Sequence, residues 1–201
     1  MKQPNNTKVH FRRWAVAFVA LTIGLVTADA AANFGSVGTA GSNPNNPGLN
    51  GVWLTNNDYW RVGRIGLQAP YLQGVDDTVE LDYETIPGWD AHSWNATVCD
   101  DWNFDACVYD SWNYGFNGFN GWNSCGGTTS GSHPNQECSL SHVRINKNYS
   151  PPARRIACHE LGHSVGLRHT STSSSCMKKT SDGGTSELLS SHDRAHLNAE
   201  Y

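Results

Sequence analysis

Residues 159–169 read HELGHSVGLRH, which places three histidines, one glutamate and two glycines at fixed intervals. Residues four apart lie one turn apart on the same face of a helix, so His159 and His163 can offer imidazole nitrogens to one ion. Gly166 can adopt the left-handed conformation that ends a helix and turns the chain back, which delivers His169 to the same point. The spacing therefore predicts a Zn²⁺ site with three histidine ligands.

A glutamate between the histidines predicts what such a site does. Three protein ligands leave a fourth coordination position for water, which is typical of catalytic rather than structural zinc. Glu160 lies too far round the helix to bind the same ion, but it is well placed to accept a proton from that water. The predicted chemistry is hydrolysis of an amide bond, with Glu160 as the general base. A surface helix with scattered histidines would need all these residues to fall in register by chance.

This motif resembles that of the metzincin zinc endopeptidases, in which HExxHxxGxxH precedes a turn that contains methionine. Met177 follows His169 by eight residues, a spacing similar to that of the matrixins within the clan. The matrixin C-terminal helix is similar to a pattern formed here by Leu189, Ser190, Asp193, Leu197 and Tyr201. The resemblance implies an α+β fold with a twisted mixed sheet, an active-site helix that ends at Gly166, a Met-turn and a C-terminal helix. It also implies a protein or peptide substrate.

The chain departs from the matrixin pattern just after the motif. Thr170 stands where matrixins usually have serine, and Lys178-Lys179-Thr180 replaces the Pro-x-Tyr that follows their methionine. The resemblance therefore does not predict the substrate pocket. The two lysines predict a preference for acidic side chains in the substrate.

The chain contains six cysteines, which allow fifteen disulfide connectivities if all six are paired. Local spacing favours Cys99 with Cys107 and Cys125 with Cys138. Cys158 directly precedes His159, and Cys176 directly precedes Met177. We predict that these last two cysteines bond to each other and tie the active-site helix to the Met-turn.

Residues 1–30 have the features of a secretory signal peptide. Four basic residues precede an apolar run over residues 14–26, and Ala28-Asp29-Ala30 then offers a small-x-small cleavage site. The alternative is an uncleaved membrane anchor, but the run is shorter than the roughly 20 residues that a membrane-spanning helix needs. We therefore expect a secreted, extracellular protein.

The rest of the chain is predicted to form one domain. Residues 31–50 are rich in Gly, Ser, Asn and Pro and predict a flexible N-terminal segment, so the catalytic domain is expected over residues 51–201. Between residues 53 and 125 the pattern favours short strands and turns over long helices. Residues 140–146 alternate in polarity and predict a strand. Ser150, followed by two prolines, is predicted to cap the helix that carries the motif.

Charge excludes some classes of partner. Without residues 1–30 the chain has 10 Lys and Arg against 17 Asp and Glu, a net charge of −7. Residues 65–143 contain eleven acidic residues and neither Lys nor Arg, which argues against nucleic acid or an anionic membrane as partner. Clustered aspartates make Ca²⁺ a candidate second ion, but no Asp-x-Asp-x-Asp-Gly loop is present, so a solvated acidic face is favoured. We expect a monomer.

Two further patterns carry competing interpretations. His192 and His196 form another pair four apart, but without a third ligand they are interpreted as a solvated helix face. Tryptophans precede asparagine at four regularly spaced positions, and they are interpreted as core residues: Trp94, Trp102, Trp112 and Trp122. If they were exposed instead, the protein would be an exported carbohydrate-binding or adhesive module with a structural zinc.

Overall fold

The computed structural model describes residues 34–37, 51–111, 120–147 and 152–201. The predicted signal peptide, most of the predicted flexible segment, Trp112 and Ser150 lie outside these ranges. The strands are β1 Leu54–Thr55, β2 Tyr59–Ile65, β3 Asp90–Ala96, β4 Ala106–Ser111, β5 Gly121–Cys125, β6 Thr129–Ser130, β7 Glu137–Cys138 and β8 Ser141–Asn146. The helices are α1 Tyr71–Thr78, which continues as a π-helical turn over Val79–Tyr83, then α2 Ala153–His163 and α3 Ser191–Glu200.

The main sheet has five strands in the order β3-β2-β4-β8-β5. The first four strands are parallel, and β5 runs antiparallel to β8 at the edge. A second, three-stranded sheet has the order β1-β7-β6. The α+β class and the mixed sheet predicted from the sequence are confirmed.

Helices α1 and α2 pack on one face of the main sheet. Alternate residues of the strands point to that face and share one core with the helices, among them Trp60, Val62, Ala106, Val108, Val143 and Ile145. The predicted strand over residues 140–146 is confirmed as β8, where Val143 and Ile145 are fully buried. Within the described ranges, no helix has the length and apolar character needed to cross a bilayer.

Helix α1 was not predicted, and the expectation of strands and turns between residues 53 and 125 is wrong there. Its buried positions have helical spacing, but several are small or polar, so the apolar stripe is faint in the sequence: Gly74, Val75, Thr78, Val79, Asp82 and Tyr83. Gly74 allows close packing on α2, since a Cβ there would lie 2.7 Å from the backbone of Ala153 and Arg154.

Helix α2 differs from its predicted bounds at both ends. It begins at Ala153, with Pro152 in the N-cap position. It ends at His163, three residues before the predicted end. The chain then turns through Gly166, whose φ is +92°, and the Leu167 N–H donates to the carbonyl oxygen of Gly162 at 2.9 Å. Gly166 is therefore the left-handed residue of the turn that follows the helix rather than the last residue of the helix.

The predicted C-terminal helix is confirmed as α3. Ser190 is its N-cap, and its hydroxyl accepts a hydrogen bond from the Asp193 N–H, while the Asp193 carboxylate accepts one from the Ser190 N–H. The Asp193 carboxylate also accepts a hydrogen bond from the Ser175 hydroxyl at 2.6 Å. This reciprocal cap therefore joins the start of α3 to the turn that contains Met177.

Candidate active site

The three histidines of the motif converge, as their spacing predicts. His159 and His163 project from successive turns of α2, and His169 follows the turn at Gly166. Their ring centroids are 4.8–5.0 Å apart, and one nitrogen of each ring lies within 4.8 Å of the others. The Nε2 atoms of His159 and His169 are 3.1 Å apart. Two nitrogens on a tetrahedral zinc, each about 2.0–2.1 Å from it, would lie about 3.3 Å apart.

Backbone carbonyls orient two of these rings. Nδ1 of His159 donates to the Cys176 carbonyl oxygen at 2.8 Å, and Nδ1 of His163 donates to the Leu167 carbonyl oxygen at 2.7 Å. Because a carbonyl oxygen only accepts, the ring hydrogen is on Nδ1 and Nε2 keeps its lone pair. Burial lowers the pKa of both imidazoles to about 3. Both rings are therefore neutral at physiological pH and offer Nε2 to a metal ion.

Glu160 lies on α2 between the histidines and is buried, with 5% of its surface exposed. Burial raises the pKa of its carboxyl group to about 8. No described residue forms a hydrogen bond or ion pair with its carboxylate. Strand β5 packs against the side chain at Gly121, where a Cβ would lie 2.8 Å from Cγ of Glu160. The side chain is thus held beside the histidines with its oxygens free to act on a bound molecule.

The predicted Met-turn packs beneath this site. Met177 is fully buried, and its N–H donates to the Ser175 hydroxyl oxygen at 2.9 Å. A disulfide joins Cys158 on α2 to Cys176 in the turn, as predicted. The pairings favoured by local spacing are also confirmed, namely Cys99–Cys107 and Cys125–Cys138.

Comparison with known proteins agrees with this geometry. The family model for the matrixin peptidases matches residues 54–201. The chain belongs to the matrixin family. Matrixins are zinc metalloendopeptidases, so this protein is a hydrolase that acts on peptide bonds. A search of curated proteins found no match.

The matrixin site opens into a cleft of about 690 Å³. Its lining includes the three histidines and Glu160, together with Val37, Val52, Asn120, Arg155, Arg168 and Lys179. The sequence-based prediction of the site missed Arg155. Its position four residues before His159 is the signal that could have revealed it, since that spacing places both side chains on one face of α2. Lys179, one of the two lysines predicted to favour acidic substrate side chains, also lines the cleft.

Residues 34–37 pack against the loop that carries His169. Phe34 pairs with Leu167, and the Gly35 N–H donates to the Gly166 carbonyl oxygen at 2.9 Å. The Arg168 guanidinium donates to the carbonyl oxygens of Gly35 and Ser36 at 2.8 and 3.0 Å. This part of the N-terminal segment therefore packs on the three residues that lead to the third histidine of the motif.

The second histidine pair forms no further metal group. His192 and His196 have ring centroids 4.6 Å apart, and the His196 ring stacks on Phe34 at 5.3 Å. The interpretation of this pair as a solvated face is therefore wrong for His196. Among the described residues, the group of three or more side chains that could hold a metal is His159, His163 and His169.

Some aspartates of the acidic segment, residues 65–143, are buried. Asp82 is fully buried and pairs with Arg154 and Arg194 at 3.1 and 2.7 Å. Asp105 is 3% exposed and pairs with Arg61 at 3.1 Å. The interpretation as a solvated face is wrong for these residues, because basic partners come from outside the segment. Calcium binding stays a hypothesis.

The tryptophans divide into two groups. Trp122 is 3% exposed and belongs to the core, whereas Trp94 and Trp102 are 38% and 85% exposed. Core burial is therefore confirmed for Trp122 and wrong for the other two. Arg61 holds the backbone of the most exposed one, since it donates to the Trp102 carbonyl oxygen at 2.8 Å.

Proposed function

We propose that this matrixin is a secreted, monomeric endopeptidase in which His159, His163 and His169 bind zinc and Glu160 is the general base. The observation that carries the proposal is the convergence of three imidazoles beside a buried carboxylate in an open cleft. The donor set fits zinc, because the His159 and His163 rings offer Nε2 lone pairs fixed by hydrogen bonds at Nδ1. Zinc would supply a Lewis acid that polarises a peptide carbonyl and acidifies a water molecule.

The chain itself supplies the proton transfers. A Glu160 carboxylate oxygen takes a proton from the attacking water as the water oxygen bonds to the carbonyl carbon. The carboxyl group then gives that proton to the departing amine nitrogen as the C–N bond breaks. The buried position of Glu160 favours this exchange, because burial raises its pKa to about 8, close enough to neutral pH for the group both to take up and to release a proton.

Secretion is supported by the composition of the chain. Three disulfides join all six cysteines, which is typical of proteins made in an oxidising compartment. The signal-like residues 1–30 give independent support. Mass spectrometry of protein recovered from the culture medium of an expressing host tests this part, and we expect a new N-terminus near Ala30.

The catalytic part of the proposal is tested with Glu160→Gln. The amide has almost the same shape but cannot take the proton, so casein cleavage should fall by about 100-fold or more. Zinc content, measured by inductively coupled plasma mass spectrometry, should stay at one ion per chain. Glu84→Gln removes an exposed carboxylate outside the cleft and is the matched control, with unchanged cleavage. Full proteolysis by zinc-loaded Glu160→Gln would refute the assigned role.

A further inference from the structure

The charges that line the catalytic cleft are mostly positive, although the protein as a whole is acidic. Arg155, Arg168 and Lys179 line the cleft, and Glu160 is the one acidic side chain among its described lining residues. Apart from the histidines, the remaining lining residues carry no charge. The cleft is thus locally complementary to a negatively charged ligand.

Four arginines elsewhere among the described residues have carboxylate partners. Arg61 pairs with Asp105, Arg64 with Asp76, and both Arg154 and Arg194 pair with Asp82. These four arginines all lie outside the lining of the cleft. Their ion pairs show how the fold ordinarily neutralises a half-buried guanidinium.

Arg155 is more deeply buried than any of them and has no such partner. It is 3% exposed, and it donates only to neutral acceptors, the Thr180 hydroxyl oxygen and the Lys178 carbonyl oxygen, both at 2.7 Å. Its Nε is buried without an acceptor. No carboxylate among the described residues lies within ion-pair distance of it, and residues 38–50, 112–119 and 148–151 contain neither Asp nor Glu. A buried charge of this kind is costly unless a ligand completes it.

The position of Arg155 relates that charge to the reaction. It precedes His159 by one turn of α2, so their Cβ atoms are about 5–6 Å apart on one helix face. Lys179 is exposed and lies between Lys178 and Thr180, the two residues to which Arg155 donates, where the 3₁₀ turn Thr180–Asp182 begins. Substrate residues next to a bond cleaved at the histidines would therefore pass close to both cations.

We propose that Arg155 and Lys179 form a carboxylate-binding subsite beside the scissile bond, and that the enzyme selects acidic peptides. This inference rests on the proposed endopeptidase function. The carboxylate can belong to an Asp or Glu side chain of the substrate or to the C-terminus of a short peptide. Both sources offer the same oxygen pair to the guanidinium, and the experiment distinguishes them.

The test uses internally quenched peptides that differ at one position flanking the cleaved bond, with Glu in one and Gln in the other. At the position that contacts the subsite, we expect kcat/KM to be about tenfold or more higher for Glu. A parallel pair ends in a free carboxylate or in an amide. A preference that follows the C-terminus would assign the subsite to the chain end, and a preference that follows the side chain would assign it to Asp or Glu.

Three variants test the residues themselves. Arg155→Gln and Lys179→Gln should each reduce the Glu-over-Gln ratio, while Lys178→Gln removes a neighbouring charge outside the cleft lining and should leave the ratio unchanged. Arg155 also anchors the segment that follows Met177, so circular dichroism is used to check that Arg155→Gln folds. If that variant does not fold, the Glu-over-Gln ratio of Lys179→Gln tests the inference. An equal loss of preference in Lys178→Gln would overturn the inference.

Binding provides a readout that does not depend on turnover. Isothermal titration of zinc-loaded Glu160→Gln with the same peptides should give a Kd about tenfold lower for the acidic peptide. Equal binding and equal cleavage of the Glu and Gln peptides would overturn the subsite and leave the proteolytic function standing. Failure of the zinc-loaded wild-type protein to cleave any peptide would refute the proposed function itself.

Discussion

The Nε2 atoms of His159 and His169 lie 3.1 Å apart, although ten residues separate them in the chain. Helix α2 positions His159 but not His169, because the helix ends at His163. His169 is positioned by the reversal at Gly166, against which Phe34 and Leu54 both pack. The geometry of the histidines therefore depends on packing around a single turn.

Gly166→Ala should disrupt this turn. Its φ of +92° is unfavourable for alanine, and the added Cβ would overlap Cδ2 of Leu54 and lie 3.0 Å from the Phe34 ring. We expect lower thermal stability and zinc affinity about tenfold or more weaker, measured by competition with a chelator.

Gly183→Ala is the matched control for that substitution. Gly183 has a similar φ of +80°, but a Cβ there would meet nothing within 4 Å. Backbone strain alone should cost about 1–2 kcal/mol and leave zinc affinity unchanged. Equal zinc affinities for the two variants would contradict a specific role for the turn at Gly166.

Gly121→Ala should displace the proposed base, Glu160, from the proposed metal ligands. The new Cβ on β5 would lie 2.8 Å from Cγ of Glu160 and 2.6 Å from the Arg144 carbonyl oxygen, so the glutamate side chain must move. We expect kcat to fall about tenfold or more with zinc content unchanged, because a small misplacement of a catalytic group is costly. Unaltered kcat in a folded Gly121→Ala protein would show that Glu160 tolerates displacement.

Local sequence was sufficient to predict the histidine site, and long-range packing explains what the sequence did not reveal. The motif lies on one helix and one turn, so its spacing predicts which side chains converge, although Phe34 and Leu54 also pack against the turn. Asp82 instead pairs with Arg154 and Arg194, which are 72 and 112 residues away. Trp102 and Trp122 both precede asparagine, yet one is exposed and the other buried, because tertiary structure decides which ring reaches the core.

Removal of the disulfide between Cys158 and Cys176 should weaken both the fold and the metal site. Its closed loop has a sequence separation of 18, so loss of the crosslink should cost about 3 kcal/mol in unfolding free energy. Zinc affinity should also fall, because the Cys176 carbonyl oxygen orients the His159 ring. Urea denaturation and chelator competition on the double alanine variant measure the two effects.

The disulfide between Cys99 and Cys107 is the control for that experiment. Its sequence separation is 8, and neither cysteine lines the catalytic cleft. Its removal should cost about 2.5 kcal/mol and leave zinc affinity intact. If both double variants lost zinc equally, general destabilisation rather than the link to the Met-turn would explain the effect.

Acid should destabilise the metal-free protein through its buried histidines. Burial lowers the pKa of His159 and His163 to about 3, whereas histidines in the unfolded chain have pKa values near 6.5. Between pH 3 and pH 6.5 the unfolded chain therefore binds more protons than the folded protein. Their contribution to stability is therefore complete above pH about 6.5 and is lost progressively as the pH falls towards 3. Glu160 acts in the opposite sense, because its raised pKa of about 8 favours the folded state at lower pH.

Urea denaturation of the metal-free protein isolates the histidine contribution when it is carried out in the Glu160→Gln background. Between pH 7.5 and pH 4.5, the free energy of unfolding of Glu160→Gln should fall more steeply than that of a triple variant that also carries His159→Gln and His163→Gln. The same low pKa values mean that protons compete weakly for these rings, so the zinc-loaded enzyme should retain its metal at pH 5. Identical pH slopes for the two backgrounds would show that the rings are solvated rather than buried and neutral.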